Sequence, residues 1–430
     1  MSSVSALKQP RKRRLLLFLV GLCVGGGLLW SPYLQTAIKC RQIRKLLASG
    51  EVEQALILSE QIAAAQPGCA ECQFLFAKSA RRTGRFSKAA TALEKSRIAN
   101  WDPKGIAFEQ VLMTAQSGRV SLVERELRQI FEGDLRAAET EEVYEALAHG
   151  HLAAYDIPEF FKCVDFWLVW RPEAIAPRQM KAEFYSRLGD YRNAADQFQS
   201  LVTDHPEFLP ARKGLGDSLL SLNLPAEAEK ELRVCSEREP TAQNALALAK
   251  CLVRTDQADE ARSLLEKFKN TEDRVTRAEI LEELGRWFLD RNQVDEAFTS
   301  LQECTRIAPE NFSAWHALST AYSMRGQADK ASEALKRSQD GQLRAQRLFA
   351  VATELTRTPQ STALRLEAAD IMFKQGMPQD AVAWLKTVLQ LDEKNPEANQ
   401  RMAQYYLDSG QKELAEKYRL IGGIHAAEKE

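Results

Sequence analysis

Apolar residues recur along most of the chain at the spacing of three and four residues that places them on one face of a helix. Trp315, Leu318 and Tyr322 show this spacing. Such stretches are separated by a Gly, Asn or Asp, residue types that tolerate the left-handed backbone conformation that ends a helix and turns the chain. The pattern therefore predicts an all-α fold of short amphipathic helices.

The helix-ending residues recur with a period close to 34. Successive positions are 33 to 38 residues apart, except for one step of 50. The residue five positions later is Ala in nine of the eleven cases, and Val123 and Phe161 are the exceptions. A small side chain there lets a second helix approach the first closely. Each unit is therefore predicted to be an antiparallel helix pair whose apolar face is buried only by neighbouring pairs. The helix-ending positions are Gly50, Gly84, Gly118, Asp156, Gly189, Asn223, Asp256, Asn292, Gly326, Gly376 and Gly410.

This pattern resembles the tetratricopeptide repeat family over residues 37–420. The ninth unit carries the resemblance most clearly, in Trp315, Leu318, Tyr322, Gly326, Ala331 and Leu335. The resemblance implies a right-handed α-solenoid of about eleven helix pairs. It also implies that the first helices line a concave groove that binds peptides or partner proteins.

Two stretches depart from the repeat, around residues 119–172 and 339–362. In the first, the third and fourth units are degenerate. In the second, the step of 50 residues predicts an inserted helix over 342–356. That insertion would kink the solenoid, form a separate binding surface or only fill space between two regular units. Residues 421–430 are predicted to be a C-terminal tail.

The positions expected to face the groove carry both signs of charge. This mixture argues against a groove for acidic tails or phosphate groups and favours one that binds a mixed protein surface. Members of the family that bind chaperone tails carry a carboxylate clamp, but here Asp217 stands near Lys213 where the clamp needs Asn. The candidate groove residues are Arg41, Arg44, Phe74, Lys78, Phe108, Gln179, Glu183, Lys213, Asp217, Lys250, Glu282, Arg286 and His316.

The densest group of aromatic residues in the chain lies in the fourth unit. Its members are Phe160, Phe161, Phe166, Trp167 and Trp170. Core packing of a divergent unit is one interpretation of this group. An exposed aromatic docking patch is the other.

The N-terminus differs in composition from the rest of the chain. Residues 1–14 carry five basic and no acidic side chains, and residues 15–38 carry no charge. Residues 15–36 are predicted to be a transmembrane signal-anchor helix, because the uncharged stretch would span roughly 36 Å as a helix. The basic residues before it predict a cytoplasmic N-terminus, and hence a solenoid outside the cytoplasm, in the periplasm if the cell is bacterial. A cleaved signal peptide is the alternative.

Cys69 and Cys72 form the one CxxC motif in the sequence, at the predicted start of a first helix. They are either structural thiols, a disulfide or redox pair, or metal ligands. A second CxxC, which a structural zinc site would need, is missing. Cys163, Cys235, Cys251 and Cys304 are predicted to be small buried residues.

The composition adds mainly exclusions. The net charge of −1 argues against a nucleic-acid binder. The sequence contains no catalytic motif, so we expect no enzyme, no cofactor and no small-molecule substrate. It predicts instead a membrane-anchored scaffold that binds proteins or peptides and assists assembly of an envelope or secretion complex. A thiol-redox or metal-handling protein and a soluble exported binding protein are the alternatives.

Overall fold

A computed structural model describes residues 32–132 and 137–423. This part of the chain contains 22 α-helices, one short 3₁₀ helix at Val120–Val123 and no strand. The helices alternate along the chain as first and second members of eleven successive pairs. The predicted all-α repeat of about eleven pairs is therefore confirmed.

The described residues divide into two compact units, one that ends at Gly150 and one that begins at His151, called unit 1 and unit 2 below. The boundary falls near the end of helix α7. The helices of the first part are α1 (Pro32–Ala48), α2 (Val52–Ala65), α3 (Ala70–Arg82), α4 (Phe86–Ile98), α5 (Pro103–Gln116), α6 (Glu124–Glu132) and α7 (Ala137–Ala153).

Unit 2 contains the remaining helices. These are α8 (Ile157–Trp170), α9 (Ile175–Arg187), α10 (Tyr191–Asp204), α11 (Leu209–Ser221), α12 (Pro225–Arg238), α13 (Ala242–Arg254), α14 (Ala258–Phe268), α15 (Arg274–Asp290), α16 (Val294–Ile307), α17 (Phe312–Met324), α18 (Ala328–Arg357), α19 (Thr362–Lys374), α20 (Pro378–Leu391), α21 (Pro396–Asp408) and α22 (Lys412–Ile421).

The turns inside the pairs have the backbone conformation that the sequence predicts. Ten of the eleven helix-ending residues have a positive φ, as in Gly84 (73°) and Asn223 (61°). The prediction is wrong at the fourth unit, where Tyr155, and not Asp156, adopts a φ of 56°. Asp156 instead stands at the N-cap of α8. A bulky residue in this conformation is uncommon and strained, so other contacts must hold it there.

Close contact between the two helices of a pair depends on small residues. A Cβ added at Gly216 on α11 would lie 2.5 Å from Cγ of Leu232 on α12. The same distance separates a Cβ at Gly285 from Cγ of Leu301 in the pair α15–α16. Both leucines are fully buried, so each fills the space that the missing side chain leaves.

The long step in the repeat corresponds to one long helix. Helix α18 runs without interruption from Ala328 to Arg357, 30 residues, so the expected separate helix over 342–356 is not present. Its first half buries Ala331 and Ala334, and its second half buries Val351 and Leu355. The extra residues thus extend the second helix of the ninth pair by about four turns.

The predicted basic segment 1–14 and most of the predicted membrane span 15–36 lie outside the described residues. Helix α1 begins at Pro32 and so includes the last five residues of that span. Within residues 32–132 and 137–423, no helix combines the length and the apolar character needed to cross a bilayer.

Candidate functional site

All thirteen candidate groove residues lie on first helices of the pairs. In unit 1 they lie on α1, α3 and α5, and in unit 2 on α9, α11, α13, α15 and α17. We call these side chains the first-helix surface of unit 1 and of unit 2. Most are exposed or half-buried, and Glu282, at 9% exposure, is the exception.

In unit 1 the two aromatic candidates belong largely to the core. The ring of Phe74 stacks on Trp101 with centroids 5.2 Å apart. Phe108 packs against the buried cluster around Leu112 and Val143. Both rings are half-buried, so they offer a partner only part of their surface.

Two of the candidate cations in unit 1, Arg44 and Lys78, already have carboxylate partners on neighbouring first helices. Arg44 on α1 forms an ion pair with Glu71 on α3. Lys78 on α3 places its Nζ 2.6 Å from Oε1 of Glu142 on α7 and 3.7 Å from Oε1 of Glu109 on α5. These ion pairs join four successive first helices.

Beneath Lys78 lies a buried ion pair that the sequence analysis missed. Arg81 and Glu109 are each 1% exposed, and Nε of Arg81 donates to Oε2 of Glu109 at 2.6 Å. The other guanidinium nitrogens donate to Gln116 at 2.9 Å and to Glu142 at 3.4 Å. The sequence carried one signal of this pair. Arg81 stands three residues before the helix-ending Gly84, and the equivalent position of the first unit is occupied by an apolar residue, Leu47.

Both members of this pair are held in their charged forms. Burial opposes ionisation of Glu109, but attraction from Arg81 and Lys78 outweighs it and lowers the pKa of the carboxyl. Burial likewise disfavours the charge of Arg81, yet Glu109 raises the pKa of the guanidinium. The pair therefore acts as a fixed polar link between α3 and α5.

The first-helix surface of unit 2 carries a series of polar contacts between neighbouring first helices. Lys250 on α13 pairs with Glu279 on α15 at 2.5 Å. On α15, Arg286 pairs with Glu282 at 2.8 Å and also donates to Ser313 on α17. These contacts align polar side chains of both signs on three successive first helices.

The remaining candidates in unit 2 make contacts within their own helices. Lys213 pairs with Asp217 at 2.6 Å, and Gln179 donates to Glu183 at 2.8 Å. His316 is exposed on α17. Short intrahelical pairs at the surface are weak, so an incoming partner can replace them at little cost.

Unit 2 also contains contacts between residues that are 197 to 229 positions apart in the sequence. The ring of Tyr155 lies 5.1 Å from that of Trp384 on α20, and its hydroxyl donates to the carbonyl of Ala352 on α18 at 3.4 Å. Arg365 on α19 donates to the carbonyl of Ala154 at 2.7 Å. We call this set the closing contact, because it joins the turn before α8 to helices α18, α19 and α20.

The closing contact buries a cation. Arg365 is 1% exposed, and its Nε and Nη1 have no hydrogen-bond partner within the described parts of the chain. Burial lowers the pKa of its guanidinium to about 10, although electrostatic attraction to Tyr155 and Asp156 partly offsets this shift by raising the pKa. Burial also raises the pKa of the Tyr155 hydroxyl, so this residue stays neutral at physiological pH. The second half of α18 is thus part of a long-range contact and does more than fill space.

The aromatic group of the fourth unit has two faces. Phe160 and Trp167 on α8 are buried, at 0% and 1% exposure, and Phe161 is half-buried. Phe166 and Trp170 lie toward solvent and are 64% and 40% exposed. Core packing therefore explains part of the group, and the rest forms an exposed apolar surface.

Cys69 and Cys72 are joined by a disulfide at the start of α3. The other cysteines of the described segments are buried, as predicted for Cys163, Cys235, Cys251 and Cys304. Burial raises the pKa of the Cys163 and Cys304 thiols to about 12. These thiols are therefore protonated and unreactive. Residues 32–132 and 137–423 contain no group of three side chains that could hold a metal ion.

Two segments of the chain match tetratricopeptide-repeat family profiles, residues 180–235 and 372–418. These two segments thus carry tetratricopeptide repeats, which bind protein or peptide partners. No curated protein matches the sequence.

Several solved structures are similar to parts of the chain. YrrB, described as a TPR protein with an unusual peptide-binding site, is 17% identical, with a TM-score of 0.33, over 42% of this chain and 92% of its own. The human IFIT1 dimer with PPP-AAAA is 15% identical, with a TM-score of 0.42, over 84% and 91%. Pseudomonas aeruginosa pilF is 19% identical, with a TM-score of 0.28, over 49% and 89%. Similarity at this level carries no conclusion about ligands or partners.

Proposed function

We propose that this chain of tetratricopeptide repeats is a membrane-anchored scaffold that binds protein or peptide partners through the first-helix surface of unit 2. The scaffold would lie outside the cytoplasm and assist the assembly of an envelope or secretion complex. The observation that carries the binding role is the series of accessible polar side chains of both signs on successive first helices, such as Lys250, Glu279 and Arg286.

The way the repeats are built leaves a surface suited to binding. Each pair buries its apolar face against its neighbours, and the remaining surface is extended and carries regularly spaced side chains. A partner that lies across several helix pairs can form many weak polar contacts with these side chains. Because the side chains carry both signs of charge, a partner with the complementary arrangement of charges binds best.

The membrane anchor is argued from sequence. Residues 15–38 carry no charge, and five basic residues precede them. A helix with these flanks places its N-terminus in the cytoplasm and the rest of the chain on the other side of the membrane.

Affinity capture with crosslinking tests the binding role, using the full-length chain in native membranes. Lys213→Glu together with Arg286→Glu changes the charge of the first-helix surface in unit 2. The matched control, Lys230→Glu together with Lys267→Glu, makes the same charge change at exposed positions on the second helices α12 and α14. We expect the first pair of changes to reduce captured partner at least ~10-fold and the control pair to leave it unchanged. Equal capture by both variants would refute the assignment of the surface.

Mass spectrometry of the mature N-terminus, together with alkaline extraction of membranes, tests the anchor. An intact N-terminus in a protein that resists extraction supports the signal anchor. A protein that begins after residue 30 and is released by extraction would show a soluble exported binding protein instead.

A further inference from the structure

The two cysteines of the disulfide, Cys69 and Cys72, differ in solvent exposure. Cys69 is the N-cap of α3 and is partly exposed, whereas Cys72 is 0% exposed. A thiol from another molecule can therefore attack at Cys69 and not at Cys72. We propose that Cys69 and Cys72 form a reversible dithiol–disulfide couple that exchanges electrons with protein dithiols, with Cys69 as the sulfur that bonds to the partner.

The start of α3 stabilises negative charge on Cys69. Its Sγ accepts the backbone N–H of Cys72 at 3.2 Å. The positive end of the helix dipole acts at the same place. Glu71 in the first turn would oppose a thiolate, but Arg44 forms an ion pair with that carboxylate and offsets its charge. Cys69 is therefore suited both to attack a disulfide and to leave from one.

The turn around the pair is held by hydrogen bonds that do not depend on the disulfide. The side chain of Gln73, 2% exposed, donates to the carbonyls of Ala63 at 2.9 Å and Pro67 at 3.4 Å. The hydroxyl of Ser96 on α4 donates to the carbonyl of Ala70 at 3.0 Å. Reduction should therefore leave the backbone in place, so that both redox states share one fold.

A third cysteine lies in the same apolar cluster and does not compete. Cys40 on α1 is 2% exposed and packs in the cluster that contains Cys72. Burial raises the pKa of the Cys40 thiol, although Arg44 opposes this effect. The Cys40 thiol therefore stays protonated, and the exchange is confined to the CxxC pair.

The exchange proceeds in two balanced steps. A thiolate of the partner attacks Sγ of Cys69, the Cys69–Cys72 bond breaks, and Cys72 leaves as a thiolate. The second thiolate of the partner then attacks its own sulfur in the mixed disulfide, and Cys69 leaves. The partner loses two electrons and two protons and gains a disulfide, while this chain gains two thiols. Exchange with a second, disulfide-bearing protein reverses the sequence.

The roles of the two sulfurs are tested with full-length Cys72→Ser and Cys69→Ser variants, each incubated natively with oxidised glutathione. Peptide mass spectrometry measures the mixed disulfide at the remaining cysteine. We expect Cys72→Ser to form it at Cys69 at least ~10-fold faster than Cys69→Ser forms it at Cys72. Equal rates in the two variants, or no adduct in either, would overturn the proposal.

The wild-type chain is then incubated with a synthetic peptide dithiol. We expect one peptide disulfide for each Cys69–Cys72 bond lost, with unchanged helical circular dichroism and native trapping of Cys69 by a maleimide. No transfer to the peptide contradicts the redox couple. A loss of helical signal on reduction contradicts it as well, since the bond would then be a structural staple. Neither experiment involves the first-helix surface of unit 2, so its outcome is independent of the proposed binding role.

Discussion

The buried pair of Arg81 and Glu109 provides the sharpest test of the packing in unit 1. Arg81→Met removes the guanidinium while keeping a long apolar side chain. The carboxylate of Glu109, 1% exposed, would then retain only Lys78, whose Nζ lies 3.7 Å from Oε1. Oε1 has no hydrogen-bond partner within the described residues, so this variant leaves a buried charge with a single distant partner.

The expected magnitude follows from that loss. Removing one member of a buried ion pair costs about 3–5 kcal/mol, because the remaining charge stays buried and uncompensated. Glu109→Gln should cost less, ~2–3 kcal/mol, since Arg81 keeps Gln116 and Glu142 as partners. The double change Arg81→Met with Glu109→Leu removes both charges and should cost less than the sum of the single changes by at least ~2 kcal/mol.

Hydrogen exchange measured by mass spectrometry is the suitable assay, because a chain of two units need not unfold in one step. The readout is the opening free energy of amides in α3 and α5. Arg97→Met is the control, since Arg97 pairs with Glu94 on the exposed surface of α4 and its loss should not change exchange. If the single changes add up in the double variant, or if Arg81→Met exchanges like the wild type, the pair does not stabilise this region.

The same pair sets a pH dependence. The pKa of Glu109 is lowered in the folded state, so its contribution to stability is present above the ordinary glutamate pKa and is lost as the pH falls through the lowered value. We expect protection of α3 and α5 to decrease below about pH 4 in the wild type. The variant with Arg81→Met and Glu109→Leu should lack this decrease, and an identical pH profile in both proteins would count against the argument.

Three further predictions concern other parts of the fold. Tyr155→Ala removes the ring and hydroxyl of the closing contact and should lower the opening free energy of α18 and α19 by ~1–3 kcal/mol, measured by hydrogen exchange; unchanged exchange would contradict its role. Gly216→Ala places a Cβ against Leu232 and should cost ~1–3 kcal/mol in α11 and α12, whereas Gly68→Ala, with open space around it, should not; equal effects would refute the packing argument. Phe166→Ser, at a 64% exposed position, should change the opening free energy of α8 by less than ~0.5 kcal/mol in hydrogen exchange, and a large loss would show that this face is packed.

Much of the fold could be predicted because its signals are local. A residue such as Gly84 or Asn223 ends a helix through its own backbone preference, and the apolar period sets which face of the helix is buried. The number of pairs follows from counting these signals. Predictions failed where the local pattern is degenerate, at Tyr155, or where a helix simply continues, as in α18.

The contacts of the candidate sites could be predicted only in part. The sequence placed the groove candidates on first helices, but it did not show that Lys78 already pairs with Glu142 or that Phe74 stacks on Trp101. Such pairings join residues 27 or more positions apart, and the periodic pattern assigns a face without assigning a partner. The one feature of the sequence that indicated such a long-range pairing was a charged residue, Arg81, at the position of the repeat that the apolar Leu47 occupies in the first unit.

By itself the sequence determined the all-α repeat and the position of nearly every turn. These depend on interactions within one or two helical turns, which the local sequence specifies. Only the tertiary structure decided that Glu109 is buried beside Arg81, that Phe166 is exposed while Trp167 is not, and that Arg365 reaches Ala154. Burial and long-range pairing depend on which helices pack together. Hydrogen bonds between residues 28 or 211 positions apart produce no periodic pattern in the sequence from which they could be predicted.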